Sequence, residues 1–193
     1  MSRFRPLLLS ALLGVLAFPA PAAAGEPAPF VSPEGRFSAH FPDTPRPERS
    51  GRDTWAGRIE EGSFQTEVTG LHLRVEYHDV PRLGLLVLSR EAILAMARDS
   101  LLKDVGAAAA REERVELRGH PGLALRYETP DHPGRLEEAR IYLVGSRLYV
   151  AFARVDDPEG RDEVAARFLA SFDAWEPGET VAAASAIGAY PGL

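Results

Sequence analysis

Two β-prone runs joined by Gly145-Ser146 constrain this chain more than any other feature. Leu136–Val144 and Leu148–Arg154 are rich in branched and aromatic residues, and only two residues separate the runs once Arg147 is counted with the second. Glycine at the first position of a two-residue loop suits a type II′ turn, whose twist matches that of the strands it joins. Such a turn sets the pairs Val144–Arg147, Leu143–Leu148, Tyr142–Tyr149, Ile141–Val150 and Ala139–Phe152. In this register Ala139, Ile141, Leu143, Leu148, Val150 and Phe152 share one face. A slip of one residue would send that apolar row to the opposite side, so turn chemistry and hydrophobic pattern specify the same pairing. A chain with this hairpin folds around an antiparallel sheet.

The rest of the chain supplies further strands and two helices. Phe37, Ala39 and Phe41 alternate within a strand spanning Arg36 to Phe41. Pro42 to Asp53 holds three prolines and six charged residues and reads as an exposed loop. Trp55 to Ile59 is a weak strand. Leu71 to Tyr77 is a strong one, with Leu71, Leu73, Val75 and Tyr77 facing a core and His72, Arg74, Glu76 and His78 facing away. Ser89 to Lys103 reads as a helix capped by Ser89, with Ile93, Met96, Ala97 and Leu101 as its apolar stripe and Gly106 as a left-handed stop. Val115 and Leu117 belong to a strand, Gly119 to Gly122 to a turn, and Leu123, Leu125 and Tyr127 to the next strand. Thr129 to Gly134 is a second turn. A helix from about Pro158 to Phe172 would be capped by Asp157 and bury Val164, Phe168, Leu169 and Phe172. The Ala- and Gly-rich stretch from Ala174 is expected to be peripheral, with the domain covering 30–175 and a flexible tail over 176–193. Strands and helices do not alternate, so the fold class is α+β: an antiparallel sheet of about six to seven strands flanked by two main helices.

The first 24 residues have the form of a secretory signal. Arg3 and Arg5 precede an apolar run of 12 residues, Leu7 to Phe18, and Ala22-Ala23-Ala24 fits a cleavage site before Gly25. Twelve helical residues reach only about 18 Å, short of the roughly 30 Å a bilayer core demands. Cleavage is therefore expected, with residues 25–29 as a linker, no stable membrane anchor, and a destination in the periplasm or outside the cell. Without Arg3 and Arg5 the 22 basic residues fall to 20 against 28 acids, a formal charge of −8. That balance argues against a nucleic-acid partner. The chain contains no cysteine, which removes disulfides, thiolate metal sites and cysteine nucleophiles.

Few residues suggest chemistry. His72, Glu76 and His78 share the polar face of one strand, and Glu76 and His78 lie about 7 Å apart along it. A third ligand from a neighbouring strand would make a metal site. Arg74 stands among them and would repel a cation, and a solvated face is the simpler reading of the pattern. His120 and His132 each precede Pro-Gly and read as turn residues. Ser146 sits in a hairpin rather than a strand-to-helix elbow, and no catalytic residue can be assigned. Glu112-Glu113 and Glu137-Glu138 are adjacent on strands and point to opposite faces. No nucleotide-binding loop is present, and no cofactor is implied. Tyr142 and Tyr149 pair on the other side of the hairpin. They are core if a helix covers them and a partner-binding patch if none does.

The segments Ser32–Phe37 followed by Phe41-Pro42, then Gly119–Gly122, Ala139–Tyr149 and Arg167–Phe172 resemble exported bacterial domains of the PsbP-like superfamily. That superfamily includes the photosystem II extrinsic protein PsbP and a yeast Ran-binding import factor. The resemblance covers roughly residues 30 to 175. It implies an antiparallel sheet between helices, a PsbP-like α/β/α sandwich, and a binding or assembly role rather than a shared activity. The expected function is that of a non-catalytic exported domain binding a protein of the cell envelope. A metal-binding or sensing role through His72, Glu76 and His78, or a hydrolase lacking a recognisable motif, are the alternatives.

Overall fold

The computed structural model describes residues 28–179 apart from 55–56, 108–109, 134, 136 and 157–160. The strands are β1 (Phe30–Ser32), β2 (Phe37–Ala39), β3 (Arg46–Thr54), β4 (Gly57–Val68), β5 (Leu71–Asp79), β6 (Ala110–Leu117), β7 (His120–Tyr127), β8 (Glu137–Val144), β9 (Arg147–Val155) and β10 (Asp173–Ala174). The helices are α1 (Arg82–Val87), α2 (Arg90–Asp104) and α3 (Arg161–Ser171). Seven strands form one antiparallel sheet in the order β3-β4-β5-β9-β8-β7-β6, and β1, β2 and β10 form a second, small sheet. The architecture is α+β, as expected.

The β8–β9 hairpin has the register its turn and pattern dictate, from Ala139 opposite Phe152 to Val144 opposite Arg147. Gly145 takes φ +59°, the positive angle a type II′ turn needs at its first position. Both faces of the hairpin are buried rather than one. Ile141, Leu143, Val150 and Phe152 pack under α2 with Ile93, Leu94 and Leu101. Tyr142, Tyr149 and Ala151 pack on the other side with Phe37, Phe168 and Phe172, under α3 and the small sheet. On β5 the alternation is clean, with Leu71, Leu73, Val75 and Tyr77 buried and the residues between them partly exposed.

Several expectations need correction. Most of the stretch read as a loop from Pro42 to Asp53 is β3, which pairs with β4 from Arg46 opposite Gln65 to Thr54 opposite Gly57. β3 is an edge strand, where proline and charge are tolerated because one side of the backbone faces water. The weak strand placed at Trp55 to Ile59 is the start of the 12-residue β4; Trp55 itself lies outside the described residues. Only Phe37–Ala39 of the first expected strand is extended, and it belongs to the small sheet. The turn placed at Gly119–Gly122 is Arg118-Gly119, with φ +53° and +80°, and His120, Pro121 and Gly122 lie in β7. Arg118 holds this left-handed conformation while its guanidinium donates to Asp173 at 2.6 and 2.8 Å. Gly122 serves a close approach instead of a turn. A Cβ there would strike the Tyr142 ring and stand 2.6 Å from the Ile141 carbonyl oxygen.

The helices follow their local signals. Ser89 caps α2 by accepting the Ala92 N–H at 3.1 Å, and Gly106 ends it at φ +71°. The stripe differs by one residue: Leu94 is buried, and Met96 is 61% exposed. Phe168, Leu169 and Phe172 are buried as expected from α3, while its anticipated cap Asp157 lies outside the described residues. Ala174 and Trp175 are core rather than peripheral, because β10 pairs with β2.

Replacing Gly122 with alanine should lower unfolding free energy by about 1–3 kcal/mol, the usual cost of overpacking. Chemical denaturation checks this. A neutral effect would mean Tyr142 moves aside freely.

Candidate functional site

The two helices cover different parts of the sheet, and what they leave open defines the candidate surfaces. α2 packs on β7 and β8. On the same face, β3, β4 and β5 carry no helix. Register places Glu48, Ser63 and Glu76 in one row and Ser50, Glu61 and His78 in the next. These residues line a shallow cavity of about 230 Å³. His78 sits between two carboxylates, with Nε2 4.0 Å from Glu76 Oε2 and Nδ1 3.8 Å from Glu61 Oε1. Glu76, then Glu61, holds its imidazolium above the ordinary histidine value against the opposing effect of burial. Reciprocally, His78 keeps the Glu76 carboxyl below its usual range.

His72 is not part of that group. It stands six residues from His78 on β5, about 20 Å at strand spacing. Its ring meets Phe152 edge-on, with centroids 5.8 Å apart. Burial lowers its pKa, and Arg154 and Arg74 lower it further. The trio His72, Glu76 and His78 therefore does not converge on one point. Among the described residues no group of three or more His, Asp or Glu is arranged to hold a metal ion.

A second polar cluster escaped the sequence. Glu137 is 3% exposed, accepts a hydrogen bond from Thr129 Oγ1 at 3.1 Å and lies 3.7 Å from His132 Nδ1. The Tyr127 hydroxyl is also buried, with no hydrogen-bond partner among the described residues, and burial first and Glu137 second raise its pKa. Threonine, histidine and glutamate stand together here. Yet Thr129 is itself buried and its hydroxyl proton points to Glu137, which suits closing a loop rather than attacking a substrate. His120 pairs with Glu176 at 3.7 Å beside the C-terminal segment.

On the opposite face, α3 leaves β6, β7 and part of β8 open. Two cavities of about 580 and 530 Å³ share Arg126, Glu138 and Arg140. Arg126 pairs with Glu138 at 2.8 Å, and Arg140 donates to the Leu169 carbonyl at 3.1 Å. Neither cavity is lined by histidine, serine or threonine. Tyr142 and Tyr149, expected either as core or as a partner patch, are core. They are 3% and 0% exposed, each with its centroid 5.8 Å from the Phe172 ring. The Tyr149 hydroxyl donates to the Gly35 carbonyl at 2.9 Å. They present no surface to a partner.

The apolar surface lies elsewhere, on α1. This helix follows Pro81, whose fixed φ suits the position before a first turn. The Val80 N–H donates to Ser146 O at 2.8 Å and ties the helix to the β8–β9 turn. Only Leu85 packs inward, against the α2 core. Leu83, Leu86, Val87 and Leu88 are 43%, 82%, 70% and 38% exposed. The run Leu83-Gly84-Leu85-Leu86-Val87-Leu88 was the available signal, but seven residues between a proline and a helix cap show no period to interpret.

A sheet with α2 on one face and α3 with a small sheet on the other is an α/β sandwich. The structure of cyanobacterial PsbP (CyanoP) from Synechocystis sp. PCC 6803, determined in solution, superposes with a TM-score of 0.54 over 80% of this chain and 98% of that one, at 12% identity. This likeness establishes the fold. No protein-family model matches the sequence, and neither does any of the curated proteins.

The His78 pair makes stability depend on pH. A raised histidine pKa stabilises fully below the unfolded value of about 6.5, and the contribution disappears as pH rises through the higher folded value. Wild type and His78→Gln should differ most in melting temperature near pH 5.5 and converge above pH 8. A constant difference would contradict the ion pair.

Proposed function

We propose that this protein is an exported, non-catalytic domain that binds a protein partner in the cell envelope through the exposed side of α1. The observation that carries this reading is the outward-facing Leu83, Leu86 and Val87 of α1 together with Leu88 directly after it, on a helix with no fully buried residue. Single exposed apolar residues are ordinary, but several neighbouring aliphatic side chains left in water on one short helix mark an interaction surface. The net negative balance of the chain favours a protein over a nucleic acid. Export rests on residues 1–24, with their two arginines, apolar run and Ala22-Ala23-Ala24.

A photoreactive amino acid at position 86, introduced in cells that make the protein, tests the surface. A discrete heavier adduct should form from position 86 and not from position 67 on the polar face. Equal yields from both positions, or no adduct, would contradict the reading. Mass spectrometry of the envelope-derived protein should find Gly25 at its N-terminus. Full-length chain confined to the cytoplasm would remove export.

A further inference from the structure

The groove beside α3 holds a charge that the fold leaves uncompensated. Its two cavities, of about 580 and 530 Å³, meet at Arg126, Glu138 and Arg140. Arg126 and Glu138 neutralise each other at 2.8 Å. Arg140 has no carboxylate partner among the described residues. Its guanidinium donates to the Leu169 carbonyl at 3.1 Å and neighbours the Tyr142 hydroxyl. It is half-buried between Ala124 and Ala151, its cross-strand neighbours on β7 and β9. A guanidinium presents five N–H donors in a planar fork, so one carbonyl and one hydroxyl leave part of that fork free.

The larger cavity places an aliphatic slot next to this charge. Ala153 and Val155 of β9 line one side, and Ala165, Ala166 and Leu169 of α3 line the other. Ala151 stands opposite Arg140 and four residues before Val155, so the slot runs about 13 Å from the guanidinium at strand spacing. The other charges are matched or distant. Arg135 pairs with Asp156 at 3.4 Å. Asp162 lies in the first turn of α3, seven residues before Leu169 and about 10 Å away along the helix. The volume of about 580 Å³ falls within the range usual for small-ligand sites, about 300–1,000 Å³.

We infer that this groove binds a free aliphatic acid, with the carboxylate on Arg140 and the hydrocarbon chain along Ala153, Val155, Ala166 and Leu169. One cation at the head of an aliphatic slot complements one anion at the head of an aliphatic chain. A carboxylate accepts two parallel N–H donors from a guanidinium, and the chain removes apolar surface from water. This site goes beyond the partner-binding reading and is independent of it. It lies on the α3 face of the sheet, whereas α1 packs through Leu85 on the α2 core.

Isothermal titration calorimetry of the purified protein with octanoate tests the site. Octanoate should bind saturably, one per chain. Hexanoate should bind at least fourfold more weakly, because each buried methylene is worth up to about a factor of four in affinity. Octanol, with a similar chain and no charge, should bind at least tenfold more weakly than octanoate. Arg140→Gln, which retains an N–H for the Leu169 carbonyl, should weaken octanoate at least tenfold. Arg114→Gln should leave it unchanged, because Arg114 pairs with Leu123 of the α2 core and lies on the other face. Ala166 is exposed on α3, so Ala166→Trp fills the slot without entering a core and should block binding even where Arg140→Gln fails to fold. In NMR spectra octanoate should move the methyl signals of Val155 and Leu169 and leave those of Leu86 in place. Absence of saturation, equal affinities for octanoate and octanol, or shifts confined to Leu86 would overturn the inference, the last assigning the acid to the exposed side of α1.

Discussion

The pairing of β8 with β9 is the interaction on which the rest of this structure depends. Its turn needs one positive φ and finds it at Gly145. Its two rows of side chains then serve two separate cores, Ile141, Leu143, Val150 and Phe152 toward α2, and Tyr142, Tyr149 and Ala151 toward α3. Full burial of one such aliphatic or aromatic side chain stabilises by about 1.5–3 kcal/mol. A register slip would exchange the two rows and mismatch both cores at once. Cores on both sides give this pairing a cooperativity that β3 and β6, open at the sheet edges, lack.

Polar contacts then close the ends of the sheet around this hairpin. Arg147, directly after the turn, donates to Asp79 at 2.6 and 3.0 Å and to the Glu34 carbonyl at 2.8 Å, and its guanidinium lies 4.3 Å above the Tyr77 ring. These contacts join β9, β5 and the β1–β2 turn. A buried charge of this kind adds little net stability by itself, but removing one partner leaves the other uncompensated. Arg118 makes a comparable clamp on β10. Its left-handed backbone carries a conformational cost that the paired hydrogen bonds to Asp173 offset. The turns therefore hold the β1–β2 segment and β10 against the main sheet, and through Ser146 they also anchor α1.

Much of the fold was legible in the sequence, and the exceptions have physical causes. The hairpin register, the Ser89 cap and the Gly106 stop are local rules that tertiary context had no reason to override. β3 was hidden because an edge strand uses proline and charge as a loop does. β10 was hidden because two residues carry no period. Alternation also tells which residues share a face but not what covers it, so Tyr142 and Tyr149 could be core or surface until α3 was placed over them. The same limit separated His72 from His78, since sharing a face says nothing about convergence along about 20 Å of strand. Spacing predicts Met96 in the core, while α2 turns Leu94 inward instead. Glu137 read as an ordinary strand acid, because only the folded loop brings Thr129 and His132 to it. The exposed α1 surface, on which the functional proposal rests, was written as LGLLVL in a segment too short to show which side would face water.

Native-state hydrogen exchange tests the central claim most directly. If the doubly buried hairpin is the foundation, the slowest amides lie in Ala139–Leu143 and Leu148–Ala153, and their opening requires global unfolding. Exchange in those segments as rapid as in edge strand β3 would show that the fold is held together elsewhere.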